Sequence, residues 1–128
     1  MTLVLDSGGL SALAGRPARL AELRRRGLWP AQIPAAVLAE ALTGGHRRNF
    51  HVNRLLRACQ IRDVGEGLAR AAAGLRTATG RAGTISAVDA IVIAHAATCA
   101  DPVVLTGDLA DLTALAANTQ PRVTVVRA

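Results

Sequence analysis

Five carboxylates stand in long stretches of this sequence that carry no other fixed charge. All fifteen arginines lie outside those stretches, and the chain has no lysine. A carboxylate that is buried without a partner costs several kcal/mol or takes up a proton. A fold that brings such acids together needs a cation between them, so the sequence predicts a divalent metal site. The stretches are residues 1–15 with Asp6, 27–45 with Glu40, 82–100 with Asp89, and 102–121 with Asp108 and Asp111.

Short apolar segments alternate with helical patterns along the whole chain. This alternation predicts an α/β fold in which helices cover both faces of a central parallel sheet. Ligand sites in such folds form at the carboxyl ends of strands, and Asp6 and Asp108 each follow a predicted strand. The predicted strands are 2–5, 29–33, 60–64, 102–106 and 123–126, and the predicted helices follow Gly8-Gly9 and cover 18–26, 34–43, 46–59, 66–79, 86–98 and 109–117.

The length and composition indicate one globular domain over residues 1–128. A chain of this length with 51% hydrophobic residues can bury a core of ordinary size. No apolar run reaches the roughly 18 residues of a membrane helix, and the N-terminus lacks the pattern of a signal peptide. We therefore expect a cytoplasmic protein that does not bind a membrane. Cys59 and Cys99 lack metal-ligand spacing, and we interpret both as reduced packing residues.

Helix capping is the ordinary alternative for most of these acids. Asp6 and Asp108 each precede a predicted helix, and Ser86 with Asp89 matches a capping box. Capping does not account for Glu40, which is predicted well inside its helix at the margin of an apolar stripe. The helix of Asp89 is apolar on nearly every side, so water is expected to have little access to that carboxylate. The joint placement of two acids after strands and two on helices favours one shared site.

Carboxylate oxygens are the ligands that Mg²⁺ and Mn²⁺ prefer. These ions take one or two acids together with phosphate oxygens of a substrate, which favours phosphodiester chemistry. In such a site the metal lowers the pKa of a bound water and stabilises the charge on the leaving oxygen. The sequence leaves open whether one or two ions are bound.

Four segments carry these acids: LVLDS at 3–7, IPAAVLAEAL at 33–42, SAVDAIVIAHAA at 86–97 and VVLTGDLADL at 103–112. Together they resemble the PIN-domain nucleases, and specifically the VapC-type toxins of bacterial toxin–antitoxin pairs. The resemblance spans nearly the whole chain. It places at the family's acidic positions Asp6, Glu40, Asp89 and Asp108. It assigns Asp111 to an additional acid of many members, and Ser7 and Thr106 to small hydroxyl residues that support the cluster.

The resemblance implies a compact α/β/α sandwich and a Mg²⁺- or Mn²⁺-dependent endoribonuclease activity. It also implies a small cognate VapB-type antitoxin that shields the acidic pocket, and a homodimer. The predicted function is a toxin that cuts a structured tRNA or rRNA and inhibits translation. The net charge of +6 favours a polyanionic partner, and Arg47 and Arg48 are predicted to bind RNA phosphates. A solvated helix face is the alternative interpretation of this arginine pair.

Two other functions stay open: a non-catalytic basic domain that binds RNA or protein, and a PIN nuclease of RNA processing. Other aspartate chemistries fit less well. A phosphoryl-accepting receiver domain needs a lysine, and a phosphatase of the haloacid dehalogenase type needs an aspartate where Gly8 stands. Gly8-Gly9 matches no phosphate-loop motif, and a tight turn or cap is its expected role. His46 and His51 lack same-face spacing, and His95 is expected to be a hydrogen-bonded core residue.

Overall fold

A five-stranded parallel sheet lies at the centre of the computed structural model, which describes all 128 residues. The strands lie side by side in the order β3-β2-β1-β4-β5. This architecture confirms the predicted α/β fold with a central parallel sheet. In chain order, the elements are β1 Thr2–Leu5, α1 Ser7–Leu13, α2 Pro17–Arg25, β2 Gln32–Pro34, α3 Val37–Ala41, α4 His46–Leu56, β3 Gln60–Arg62, α5 Glu66–Ala78, α6 Ala87–Ala96, β4 Pro102–Thr106, α7 Leu109–Ala116 and β5 Thr124–Arg127.

The helices form one layer on each face of the sheet. On one face α1 packs against α2, α3 and α4, and on the other α6 packs against α5, α7 and the central strands. Right-handed crossovers between parallel strands produce this division, because the chain moves outward from β1 to β3 and then returns to β4 on the other side of β1. The central strands are covered on both faces, and their continuous Val and Leu runs are typical of such strands.

The reversal of direction creates a crevice between the carboxyl ends of β1 and β4. Leu5 pairs in register with Leu105, so Asp6 and Thr106 follow side by side at this point. In open parallel sheets, ligands bind at the place where the strand order reverses. The fold therefore directs the acids after β1 and β4 to the position where a ligand site is expected.

The segment around Pro34 differs from the prediction. Pro34 was predicted in the first turn of a helix, but it ends β2, where it pairs in register with Arg62 of β3. The next amide, that of Ala35, also donates to the carbonyl of Arg62 at 2.7 Å. Pairing with β3 thus extends the strand and leaves only Val37–Ala41 for α3. Glu40 consequently lies exposed on a short helix, and its predicted position well inside a longer helix was wrong.

His95 connects α6 to the sheet as a hydrogen-bonded, half-buried residue. Its Nε2 lies 2.8 Å from Oε1 of Gln32 in β2. Burial lowers the pKa of His95, and the nearby Arg62 lowers it further. This position confirms the expectation of a structural histidine.

None of the helices is long and apolar enough to cross a membrane.

Candidate metal centre

Three carboxylates converge at the crevice between β1 and β4. Asp89 lies in the first turn of α6, Asp108 caps α7, and Asp111 lies in the first turn of α7. One carboxylate oxygen from each residue lies within 4.8 Å of the corresponding oxygens of the other two. We call these residues the acidic triad. Three oxygen ligands at this separation are suited to a hard divalent cation.

Asp6 is fixed beside the triad by hydrogen bonds to both of its oxygens. Its Oδ1 accepts from the amide of Gly9 at 2.7 Å, and its Oδ2 accepts from the hydroxyl of Thr106. The same hydroxyl oxygen accepts from the amide of Asp108 at 2.8 Å. Asp6 is only 4% exposed and Thr106 is fully buried. Thr106, predicted to support the cluster, therefore links the ends of the two central strands.

Glu40 reaches the same region from α3. Its Oε2 accepts from the hydroxyl of Ser7, at 3.3 Å, and Ser7 follows Asp6 at the start of α1. Glu40 is exposed and lies outside the triad. The contact with Ser7 places the second predicted supporting hydroxyl between α1 and the glutamate.

Burial and the four other acids together raise the pKa of Asp89. It is raised from 3.8 to about 7, first by burial and then by repulsion from Asp6, Asp108, Glu40 and Asp111, in that order. A carboxyl group resists ionisation when other negative charges lie near it. The other four predicted acids thus all lie close enough to act on Asp89, which is partly rather than fully shielded from water.

Capping and clustering are compatible here, because the caps orient the acids. Asp6 and Asp108 are the N-caps of α1 and α7, as the capping interpretation predicts. At α6 the cap is Ser86, whose hydroxyl accepts from the amides of Val88 and Asp89. The return bond of a capping box, from the Ser86 amide to the Asp89 carboxylate, is not formed. The carboxylate of Asp89 therefore faces Asp108 and Asp111 and does not cap its own helix.

Gly8 and Gly9 allow α1 to approach the turn that carries Asp108. A Cβ on Gly8 would lie 2.6 Å from the Cα and N atoms of Gly107, and a Cβ on Gly9 would collide with the carbonyl oxygen of Leu105. Real Cβ atoms do not approach backbone so closely, so a larger residue would push α1 away from β4. The glycine pair is explained by this packing, which also sets the separation of Asp6 and Asp108.

Arg81 contacts the triad, and sequence reasoning missed it. Its Nη2 donates to Oδ1 of Asp111 at 2.8 Å. The Arg81 side chain is 47% exposed and that of Asp111 is 21% exposed. Arg81 immediately precedes one of the uncharged stretches, and its place just outside that stretch is the only signal that the sequence offers. Only the packing of the α5–α6 loop against α7 places this cation at the site.

The predicted RNA-binding arginines lie at the start of α4, one layer away from the triad. Arg48 donates to the hydroxyl of Ser11 at 2.8 Å, and its side chain packs over Gly44. Ser11 lies one helical turn beyond Ser7 on α1. Arg48 therefore contacts α1 one turn away from the serine that binds Glu40. Arg47 is exposed, and its side chain makes no hydrogen bond within the protein.

The whole fold is similar to several solved structures. One is described as the crystal structure of DNA-bound VapBC from Salmonella typhimurium, with a TM-score of 0.73, 18% identity, and coverage of 99% of this chain and 98% of that chain. A second is VapBC2 from Rickettsia felis bound to a DNA fragment from their promoter, with a TM-score of 0.70, 16% identity, and coverage of 100% and 99%. A third is FitAB bound to an IR36 DNA fragment, with a TM-score of 0.64, 21% identity, and coverage of 98% and 94%. At such identities the similarity establishes the fold.

The sequence itself matches the model of a known family. No curated protein shows a significant sequence match to the chain. The family model described as PIN domain, however, matches residues 3–117, a range that includes all five acids and, apart from Thr2 at the start of β1, every element except β5. The chain therefore belongs to the PIN-domain family.

Proposed function

We propose that this PIN domain is a Mg²⁺- or Mn²⁺-dependent endoribonuclease, the VapC-type toxin of a toxin–antitoxin pair. It cuts a structured RNA, either a tRNA or an rRNA, and thereby inhibits translation. The observation that carries the proposal is the acidic triad, whose oxygens lie within 4.8 Å of one another in a domain of the PIN family. Clustered acids at a strand-order reversal fit a hydrolytic site better than a passive surface.

The donor set fits a divalent cation. Asp89, Asp108 and Asp111 would hold the ion, and the carboxylates of Asp6 and Glu40 lie beside them. Burial and then the negative charge of the four other acids raise the pKa of Asp89, and a bound cation would offset that charge. When bound, such an ion supplies a water of lowered pKa and stabilises charge on the leaving oxygen.

The chain's own residues keep these acids in a fixed geometry. The hydroxyl of Thr106 donates to Asp6 and accepts from the amide of Asp108. The turns that carry these two acids therefore cannot separate without breaking a buried hydrogen bond. Ser7 contacts Glu40 from α1 through a single exposed hydrogen bond of 3.3 Å. Preorganised charges of this kind need little rearrangement when substrate binds, which is how electrostatic catalysis gains its rate.

The substrate is proposed from charge and composition. The net charge of +6 suits a polyanion, and Arg47 and Arg48 offer phosphate contacts near α1. Trp29 and Phe50 are the only Trp, Phe or Tyr residues, so base stacking contributes little. Recognition then depends on the backbone and shape of the RNA, which favours a structured target.

The partner is proposed from the similar structures. Two of them are VapBC complexes and one is FitAB, each bound to DNA. We propose a VapB-type antitoxin that covers the acidic triad of this chain, and a homodimer of the toxin itself. Co-expression with a candidate antitoxin, namely any small open reading frame found beside the gene, followed by measurement of the mass of the purified complex, tests both.

The test of the activity is cleavage of total tRNA and rRNA by purified, antitoxin-free protein. Reactions contain Mg²⁺, Mn²⁺ or EDTA and are run beside Asp89→Asn. The matched control is Asp63→Asn, which removes the same charge at an exposed position outside the site. Discrete fragments are expected with metal, from the wild type and Asp63→Asn, and not from Asp89→Asn.

Two outcomes contradict the proposal in different ways. RNA that is bound equally by all variants and left intact by all of them favours the non-catalytic binding domain. Cleavage that survives in Asp89→Asn at the wild-type rate removes Asp89 from the site. A nuclease that cuts only a precursor RNA, and does not arrest translation in a cell-free system, favours a role in RNA processing.

A further inference from the structure

One cation faces the acidic triad directly. Arg81 donates to Asp111 at 2.8 Å, and no other arginine forms an ion pair with any of the five acids. An ion pair that is this exposed contributes little to folding. Fold stability therefore does not explain why a guanidinium is held at the edge of the site.

The loop that carries Arg81 is built to hold it in place. The Arg81 amide donates to the Thr79 hydroxyl at 3.1 Å, and its carbonyl accepts from the amides of Thr84 and Ile85 at 2.9 Å. Arg76 closes the loop from α5, donating to the carbonyls of Ile85 at 3.0 Å and Ala82 at 2.6 Å. Ile85 is 1% exposed and anchors the loop in the core. The Arg81 side chain thus extends from a rigid base.

Most N–H donors of the Arg81 guanidinium have no partner within the protein. The guanidinium carries five N–H groups in a planar fork, and only one of its nitrogens is engaged with Asp111. With 47% of the side chain exposed, the remaining donors face solvent at the rim of the triad. A planar fork beside oxygen ligands of a metal is suited to a phosphate group, which accepts bidentate hydrogen bonds.

We propose that Arg81 binds a non-bridging oxygen of the RNA phosphodiester that is cut at the acidic triad. The inference rests on the proposed nuclease function, and it adds a substrate-binding residue to that site. Because Asp111 holds the guanidinium in the free protein, Arg81 approaches the phosphate from the α7 side of the triad. Arg47 and Arg48 lie on the opposite helix layer and contact more distant phosphates.

The test compares Arg81→Ala, Arg81→Lys and Arg70→Ala. Arg70 is the matched control, since it forms an ion pair of the same length, 2.8 Å with Glu66, on the exposed face of α5 away from the triad. Initial cleavage rates are measured over a range of concentrations of unfractionated tRNA with Mn²⁺. Mn²⁺ affinity is measured separately, without RNA, by electron paramagnetic resonance, and folding is checked by thermal unfolding.

The expected result is a loss of kcat/KM of about 10- to 100-fold in Arg81→Ala, as for other hydrogen bonds to charged groups. Arg81→Lys keeps the charge without the fork and recovers part of that loss. Mn²⁺ affinity in Arg81→Ala stays equal or rises, because a competing cation has left Asp111. Arg70→Ala behaves as the wild type in both assays. A loss of RNA cleavage without any loss of Mn²⁺ affinity is the signature of a phosphate ligand.

Other results overturn the inference. Wild-type kcat/KM in Arg81→Ala, with activity lost in Asp89→Asn, refutes the role of Arg81 and leaves the nuclease function intact. Parallel losses of cleavage and Mn²⁺ affinity show that Arg81 only supports the position of Asp111. Absence of metal-dependent cleavage by the wild type refutes the proposed function and the inference with it.

Discussion

Replacing Asp89 with asparagine is expected to stabilise the metal-free protein. The Asp89 carboxyl has a pKa of about 7 in the folded chain against 3.8 when it is unperturbed. At about 1.4 kcal/mol per pKa unit, the shift sets an upper bound of about 4 kcal/mol on the free energy that ionised Asp89 costs the fold. Because the side chain is partly exposed, solvent screening reduces this cost, and we expect a gain of about 1–2 kcal/mol.

The pH dependence follows from the direction of the shift. At a pH below the unperturbed value of 3.8, Asp89 is protonated in both the folded and the unfolded chain and costs nothing. As the pH rises towards the folded value of about 7, the unfolded chain ionises first, so the wild type loses stability across this interval. The asparagine side chain of the variant cannot ionise, and the advantage of Asp89→Asn therefore grows from pH 4 to pH 8.

Thermal unfolding in EDTA from pH 4 to pH 8 is the assay. The Tm of Asp89→Asn is expected to equal that of the wild type at pH 4 and to exceed it by about 3–8 °C at pH 8. Added Mg²⁺ or Mn²⁺ should reverse the order, because a ligand that binds only the folded state stabilises the wild type more. Asp63→Asn, at an exposed position, controls for charge removal and should show neither effect.

An Asp89→Asn variant that is no more stable than the wild type at pH 8 in EDTA would refute this reasoning, since the carboxylates would then not be crowded. A stabilisation of equal size at pH 4 would show a cause other than charge. A metal-induced rise in Tm that is identical in both proteins would remove Asp89 from the proposed metal site.

Three further predictions concern packing, thiol chemistry and RNA contacts. Gly9→Ala should destabilise the protein by about 1–3 kcal/mol in urea unfolding, because its Cβ meets the backbone of β4, whereas Gly74→Ala, in open space on α5, should be neutral or stabilising. A neutral Gly9→Ala would contradict the close approach of α1. Burial raises the pKa of the Cys59 thiol to about 11. Iodoacetamide at pH 8 should therefore alkylate this thiol far more slowly in the native protein than in urea. Equal alkylation rates would count against the burial of Cys59. Replacing Arg47 and Arg48 together with alanine should weaken RNA binding and flatten its salt dependence, and an unchanged slope would remove the pair from the footprint.

Three helix N-termini meet at the proposed metal site. The starts of these helices carry the acids: Asp6 at α1, Asp89 at α6, and both Asp108 and Asp111 at α7. The partial positive charge of a helix N-terminus favours nearby anions, and each cap also satisfies a free amide. These contacts allow the acids to sit close together before any cation binds. Capping is therefore one means by which the site is preorganised, rather than an alternative to it.

Some of the site was predictable because its signals are local. The acids at 6, 40, 89, 108 and 111 stand out in uncharged stretches, and the β1 and β4 patterns place two of them at strand ends. Glu40 lies near the other acids, but in a shorter helix than the one predicted for it. The pairing of Pro34 with Arg62, a contact between residues distant in the chain, decided where α3 begins, and no local pattern encodes such a pairing.

The sequence by itself determined the alternation of strands and helices, the parallel sheet and the identity of the acids, because periodicity and isolated charges are properties of neighbouring residues. Only the tertiary structure decided which oxygens meet, how the Thr106 hydroxyl joins Asp6 to Asp108, and that Arg81 reaches Asp111 across 30 positions of the chain. These contacts depend on how elements that are remote in sequence pack together. The physical reason is that a hydrogen bond or ion pair requires a separation of about 3 Å, which is set by the packing of whole layers and not by spacing along the chain.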